Sequence, residues 1–252
     1  MSVFIHNRNC NGGRRSAPQR TEPPSIKQGY ASQGLGLLPR ELLLKTGPFD
    51  HADWNYQGLL GYLQRQRYYL ARRLLPPQRV NRILEIGYGS GVFMPELQQH
   101  CDSLHGVDVH ACKDEVAGKL RHAGVSATLN TASVEHLPFQ DRIFDVAVAV
   151  STLEFVQDIS RSAREISRVL RPGGVAVVVT PGDHPLLDCA LWLATGESAK
   201  RDFGDRRARL IPALAREMRL DKCLSFPFAF RAFPTLYFAL RFVTPSVQAS
   251  KL

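Results

Sequence analysis

The chain predicts a Rossmann-like, doubly wound α/β fold: a mostly parallel sheet with helices on both faces. Three observations carry that prediction. Short apolar runs alternate with amphipathic stretches between residues 82 and 180. The first run, Ile83 to Ile86, feeds directly into three glycines at alternate positions, Gly87, Gly89 and Gly91. A second run, Leu104 to Val107, ends in an acid, Asp108. Alternating strands and helices with short buried strands build a parallel sheet, and ligands of such sheets sit at the carboxyl ends of the strands.

Residues 1–38 are rich in Asn, Gly, Arg, Pro, Ser and Gln and lack apolar periodicity, so they are expected to be a disordered basic leader. Residues 39–79 are expected to form a helical cap. It begins with a short helix through Leu42, Leu43 and Leu44, followed by a polar-aromatic loop from Asp50 to Tyr56. A helix from Gln57 to Leu75 follows, with Leu59, Leu60, Leu63, Leu70, Leu74 and the tyrosines as its stripe, and Pro76–Pro77 stops it. Residues 80–182 are the core. Strands are expected at 82–86, 103–108, 126–130, 144–150 and 175–180, and helices at 92–99, 111–123 and 158–170. Arg171–Gly174 reads as the turn into the last strand. Residues 183–252 are expected to complete the sheet and the substrate side. Helices at His184–Thr195 and Gly204–Leu220 precede strands at Leu224–Phe230 and Thr235–Phe242. The aromatic run Phe226, Phe228, Phe230, Phe233, Tyr237, Phe238 and Phe242 reads as core, or as a greasy substrate wall or membrane-facing surface.

Of the 252 residues 44% are hydrophobic, enough for a packed core. The five cysteines are scattered without a C-x-x-C pair. Neither a zinc site nor a disulfide framework is indicated, no metal is expected, and a reducing, cytoplasmic setting is. The net charge of +9 is uneven: residues 1–30 carry five Lys/Arg against one acid, and residues 183–252 eleven against seven. The core is nearly neutral. The basic ends suit nucleic acid or anionic lipid, or are solvated tails. No signal peptide is expected. The most apolar long stretch, Cys223 to Val243, is interrupted by Pro227, Arg231, Pro234 and Arg241, so no transmembrane span is expected and peripheral membrane contact stays open. The terminal Ser250-Lys251-Leu252 has the form of a peroxisomal address or is accidental.

A sharp turn from strand to helix needs residues without Cβ and lets a ligand approach main-chain N–H groups. Glu85 just before the turn disfavours a phosphate and suits an amino or hydroxyl group. A dinucleotide fingerprint would place its third glycine at position 92, where Val92 stands. Further along, Leu137-Pro138-Phe139 precedes the buried run Phe144–Val150, and Arg168-Val169-Leu170-Arg171-Pro172-Gly173-Gly174 precedes another. In this order and spacing the motifs resemble those of class I S-adenosylmethionine-dependent methyltransferases, in particular the small-molecule, type 11-like branch, over roughly residues 80 to 182.

That resemblance implies S-adenosyl-L-methionine as cofactor. It implies that the loop of Gly87, Tyr88, Gly89 and Gly91 packs against the amino-acid half, with Glu85 acting there. Asp108 accepts bonds from the ribose hydroxyls, and Val109 lines the adenine pocket. Ser133 stands where the family often has an acid, a weaker partner for adenine, and Val134 supplies a main-chain N–H. Ser151 lies beside the transferable methyl. The last two strands correspond to an antiparallel pair closing the sheet. His184 is the best-placed proton-transfer group, with Glu154 and His136 weaker; for His184 the start of the following helix is an equal reading. His51, Trp54 and Tyr56 form a lid or pack structurally. No Asn/Asp-Pro-Pro-Tyr/Phe run and no Pro-Cys nucleophile stand near the methyl, which disfavours nucleic-acid substrates. The expected function is methyl transfer to a small organic, apolar or lipid-like acceptor. The alternatives are an RNA or protein methyltransferase using the basic ends, a non-catalytic cofactor-binding module that regulates a partner, and a dehydrogenase.

Overall fold

Strands β1 (Val80–Ile86), β2 (Cys101–Asp108), β3 (Ala127–Thr131), β4 (Phe144–Val150), β5 (Leu170–Pro181), β6 (Arg219–Phe226) and β7 (Tyr237–Val243) form one sheet in the order β3-β2-β1-β4-β5-β7-β6. This computed structural model describes residues 34–47, 50–182, 206–227 and 235–246. The first five strands pair in parallel, and β7 runs antiparallel to both β5 and β6. The fold class and the antiparallel closing strand are therefore as expected. β1 lies third in this order, flanked by β2 and β4, where successive connections leave in opposite directions. That crossover point opens the ligand crevice of doubly wound sheets.

Helices α1 (Gly58–Leu74), α2 (Met94–Gln98) and α3 (Lys113–His122) cover one face. Helices α4 (Ile159–Val169) and α5 (Arg206–Glu217) cover the other. α4 shows why its sequence folds so: Ile159, Ala163, Ile166 and Val169 fall on one buried stripe, and Asp158 caps the helix by accepting from the Arg161 N–H at 2.9 Å. β4 is apolar on both faces except for Asp145. That buried acid is satisfied by the Arg82 N–H at 2.7 Å and by an ion pair with Arg171.

Several boundaries differ from expectation. The leader is shorter at its inner end, because Leu37 and Leu38 are buried in the core; residues 1–33 lie outside the described residues. The short helix near Leu42–Leu44 is a single 3-10 turn, Arg40–Leu42, and the Asp50–Tyr56 loop contains a 3-10 turn, Ala52–Tyr56. Arg171–Gly174 lies within β5, where the register with β4 shifts between Phe144 and Val146 and absorbs the turn. The helix expected at Gly204–Leu220 ends at Glu217, and β6 starts at Arg219 rather than Leu224. The helix expected at His184–Thr195 and the aromatics Phe228, Phe230 and Phe233 lie outside the described residues.

Candidate functional site

The end of β1 delivers the glycine loop onto the carboxyl edge of the sheet. The Gly87 N–H donates to the Val107 carbonyl at 2.8 Å, fastening the loop to the end of β2. Gly87 has φ +73, and a Cβ there would stand 2.2 Å from the Thr152 Cγ2 atom, so this position needs glycine on both counts. Gly89, at φ +50, faces the cap instead: Thr46 Oγ1 and Asp50 Oδ2 each lie 3.9 Å from where its Cβ would be. Asp50 orders that cap segment by accepting from Thr46 Oγ1 at 2.8 Å and from the Ala52 N–H at 3.0 Å. Behind it, the Leu38 N–H donates to the Val92 carbonyl, the Gly36 N–H to Glu96, and the Tyr56 hydroxyl to the Leu38 carbonyl. Residues 36–47 and 50–56 are thus tied over the loop.

Asp108, at the end of β2, holds the loop from the other side. Its Oδ2 accepts from the Gly89 N–H at 2.8 Å and its Oδ1 from the Val109 N–H at 2.7 Å. A carboxylate offers about four lone-pair positions, so both oxygens keep capacity for ribose hydroxyls. Val109 is 73% exposed at the rim, where an adenine ring could cover it. His110 completes this corner. The Cys112 N–H donates to its Nδ1 at 3.2 Å, which leaves Nε2 to carry the proton given to the Gly89 carbonyl at 3.0 Å. The ring stands edge-on to Tyr88 at 4.9 Å.

Glu85 is the least satisfied group here. Its side chain is 4% exposed, and its Oε2 has no hydrogen-bond partner among the described residues. Burial, and then the charge of Asp108, hold its carboxyl pKa well above the usual range. Buried hydroxyls of Tyr88, Ser90 and Ser151 also lack partners among the described residues. Ser151 ends β4 in the left-handed region, φ +52, a strained placement for a serine. Burial and Asp108 push the Tyr88 phenol up, so it stays protonated. Ser133 is partly committed, since its hydroxyl accepts from the Glu135 N–H at 3.2 Å; Val134 beside it is buried. Arg168 anchors the segment after them through the Leu137 and Phe139 carbonyls and Asp141.

These features fit S-adenosylmethionine. An amino group would satisfy the orphaned Glu85 oxygen, and the glycine loop has no basic side chain to receive a phosphate. Among the expected proton-transfer groups, Glu154 is 1% exposed in a 3-10 turn after β4, Leu153–Phe155. His184 lies outside the described residues. His136 is exposed and electrostatically coupled to Glu165. His51 and Trp54 stack on each other at 4.2 Å. Asp50 and His110 are additions that sequence reasoning missed, whereas Thr152 lies in the run after β4 expected at this edge. An acid-x-His pattern at 108–110 was a local signal for His110; Asp50 depends on long-range packing. Surface hollows of about 150 Å³ near Arg79 and Asp102, and about 460 Å³ near Arg142 and Pro172, open at the amino edge, away from this chemistry.

Residues 84–178 match the model of a family described as a methyltransferase domain. The chain is 31% identical over 151 residues to a demethylmenaquinone methyltransferase of Roseiflexus castenholzii, covering 59% of this chain and 58% of that protein. It is 33% identical over 98 residues to the sterol 4-C-methyltransferase strm-1 of Caenorhabditis elegans, covering 38% and 29%. In each case the match spans less than two thirds of the relative's length. The fold is shared with the N-methyltransferase NodS of Bradyrhizobium japonicum, with a TM-score of 0.55 at 20% identity over 74% of this chain and 98% of that one. Over residues 84–178 the chain is thus similar to the methyltransferase domain of the class I S-adenosylmethionine-dependent family, and its fold is that of this family. S-adenosyl-L-methionine is the cofactor that this domain match implies.

Proposed function

We propose that the protein methylates a small organic acceptor, apolar or lipid-like, at the carboxyl edge beside β4. The observation that carries this reading is the orphaned, buried Glu85 oxygen between the glycine loop and Asp108. The named acceptors of two relatives, a sterol and demethylmenaquinone, support the apolar character. When bound, the cofactor supplies an electrophilic methyl group on a sulfonium that leaves as a neutral thioether.

The chain's own residues then have definable tasks. Glu85 accepts from the amino group, and the Gly87–Gly91 backbone packs along the amino-acid half. Asp108 grips the ribose hydroxyls while still holding Gly89. Val109 and Val134 flank the adenine, with Ser133 its polar neighbour. Ser151 and Thr152 form the rim towards the acceptor. In-line displacement needs alignment and exclusion of water, which the tied cap of residues 36–47 and 50–56 would provide. Glu154 and His184 are the proposed proton acceptors for a hydroxyl or amine.

Among the described residues no helix is long and apolar enough to cross a membrane. Cys101, Cys112 and Cys223 carry free thiols, which supports a reducing, cytoplasmic location. Binding of S-adenosylhomocysteine, followed by radiolabelled methyl transfer to a panel of sterols, quinols, phenols and amines, tests the proposal. Absence of cofactor binding overturns it. Tight binding without transfer across the panel favours a regulatory module, and salt-dependent RNA binding with transfer to RNA favours the nucleic-acid alternative.

A further inference from the structure

The amino-terminal half of α1 lies over the same carboxyl edge, on the acceptor side. The register places Tyr237, the first residue of β7, opposite Pro181 at the end of β5. Its hydroxyl donates to Gln64 Oε1 at 3.3 Å, bringing α1 to that edge. One turn on, Arg67 reaches inward. Its Nη2 donates to the Tyr68 hydroxyl at 3.2 Å, and its guanidinium carbon lies 4.8 Å from the centre of the Tyr68 ring. Its buried Nε has no hydrogen-bond partner among the described residues, and none of their carboxylates stands within 4.0 Å of the guanidinium. Neighbouring arginines of α1 are spent on structure: Arg65 on the Asn55 carbonyl, Arg72 on the Gly34 carbonyl and Glu96.

A half-buried guanidinium with an idle donor needs an oxygen partner. Burial works against its charge, but the oxygens of Tyr68, Tyr237 and Glu154 outweigh that and raise its pKa. Tyr68 links this group to the cofactor side. Burial first, then the charges of Glu85 and Asp50, push its phenol up to about 12 against the pull of Arg67, so it is a neutral hydrogen-bonding group at neutral pH. The walls around the cluster are apolar: Phe93 stacks on Tyr68 at 4.8 Å, and Val148, Val177 and Val179 lie beneath on the same face.

We propose that Arg67 is the acceptor-recognition residue, and that the acceptor is an apolar molecule bearing an acidic oxygen, as in a carboxylate, phenolate or enolate. The inference rests on the methyltransferase reading above. Arg67 pairs with that oxygen through its Nε, and the fully buried valines and Phe93 beneath it keep water from the pair. A planar guanidinium suits a two-oxygen acid, whereas an ammonium at the same position would be a point charge. An anionic group is also favoured beside a sulfonium.

The test uses the full chain loaded with S-adenosylhomocysteine and three matched probes, 4-octylbenzoate, 4-octylphenol and the neutral 4-octylbenzamide, measured by calorimetry. The wild type is expected to bind the benzoate at least tenfold more tightly than the amide. Arg67→Met should abolish that preference and Arg67→Lys keep part of it, with S-adenosylhomocysteine affinity unchanged within twofold in both. Equal binding of benzoate and amide by the wild type, binding of neither, or a preference that survives Arg67→Met overturns the assignment. Loss of S-adenosylhomocysteine binding by the wild type is a separate failure, of the methyltransferase reading itself. Where Arg67→Met melts too low to measure, the benzoate-to-amide ratio of the wild type and of Arg67→Lys decides.

Discussion

Replacing Glu85 by Gln should make the cofactor-free protein more stable and the cofactor complex weaker. The substitution keeps the shape of the side chain and removes the charge that β1 buries with no partner for Oε2 among the described residues. An acid whose folded-state pKa is raised holds its proton more firmly folded than unfolded. Its stability contribution is therefore fully present below the ordinary value of 4.5 and drains away as pH rises towards the raised value. The drain is at most about 1.4 kcal/mol per pH unit. An unsatisfied buried polar group costs about 1–3 kcal/mol, more when charged. The introduced amide would still need partners, so a net gain of about 2 kcal/mol at pH 8 is a reasonable middle figure. For a chain of this size that is about 4–8 °C in melting temperature. Calorimetric melting of wild type and Glu85→Gln from pH 5 to 8, without ligand, reads the difference directly, and other titrating groups cancel in it. S-adenosylmethionine affinity should fall by about tenfold or more, the worth of a charge-assisted bond. The reasoning is refuted if Glu85→Gln melts below the wild type at pH 8 without ligand, or if the two proteins lose stability with the same slope.

Asp108→Ala should weaken S-adenosylhomocysteine binding by about 1–3 kcal/mol, read by titration calorimetry. It should also speed amide exchange at Gly89, whose N–H loses its acceptor. Gly87→Ala should cost about 1–3 kcal/mol of stability from the left-handed backbone alone, and more from Thr152; Gly87→Ala with Thr152→Gly should recover only the steric part, measured by urea denaturation. Lowering the pH should loosen the segment around Gly36. Burial opposes ionised Glu96, yet bonds from His100 and the Gly36 N–H and the charge of Arg72 hold its pKa below the ordinary 4.5. A group lowered in this way supplies stability above 4.5 that is lost as pH falls through its folded value. Glu96→Gln should therefore remove part of the acid sensitivity of exchange at Gly36 and Leu38.

The glycine loop and Asp108, which the structure brings together, were legible because their signals are local. Three glycines at alternate positions, all with positive φ, and an acid ending the next strand sit within a stretch of sequence that folds largely against itself. Arg67 was invisible for the opposite reason: on an amphipathic helix an arginine reads as solvent-facing, and its partner strand begins 170 residues later at Tyr237. The start of β6 was misread because Arg219–Cys223 is exposed, charged and at the sheet edge. Charge on an edge strand protects it from pairing with other chains, but erases the alternation by which strands are recognised.

The crossover at β1 has an evolutionary corollary. On the proposed reading, what clasps the nucleoside would come from the chain on one flank of that strand, through residues 87–134. What meets the incoming molecule would come from the opposite flank and the overlying first helix. Mutations that retune selectivity can accumulate on the second set while the first is left intact. Tyr68, sensing charges on both flanks, is the residue at which such drift would first be felt by the clasping half.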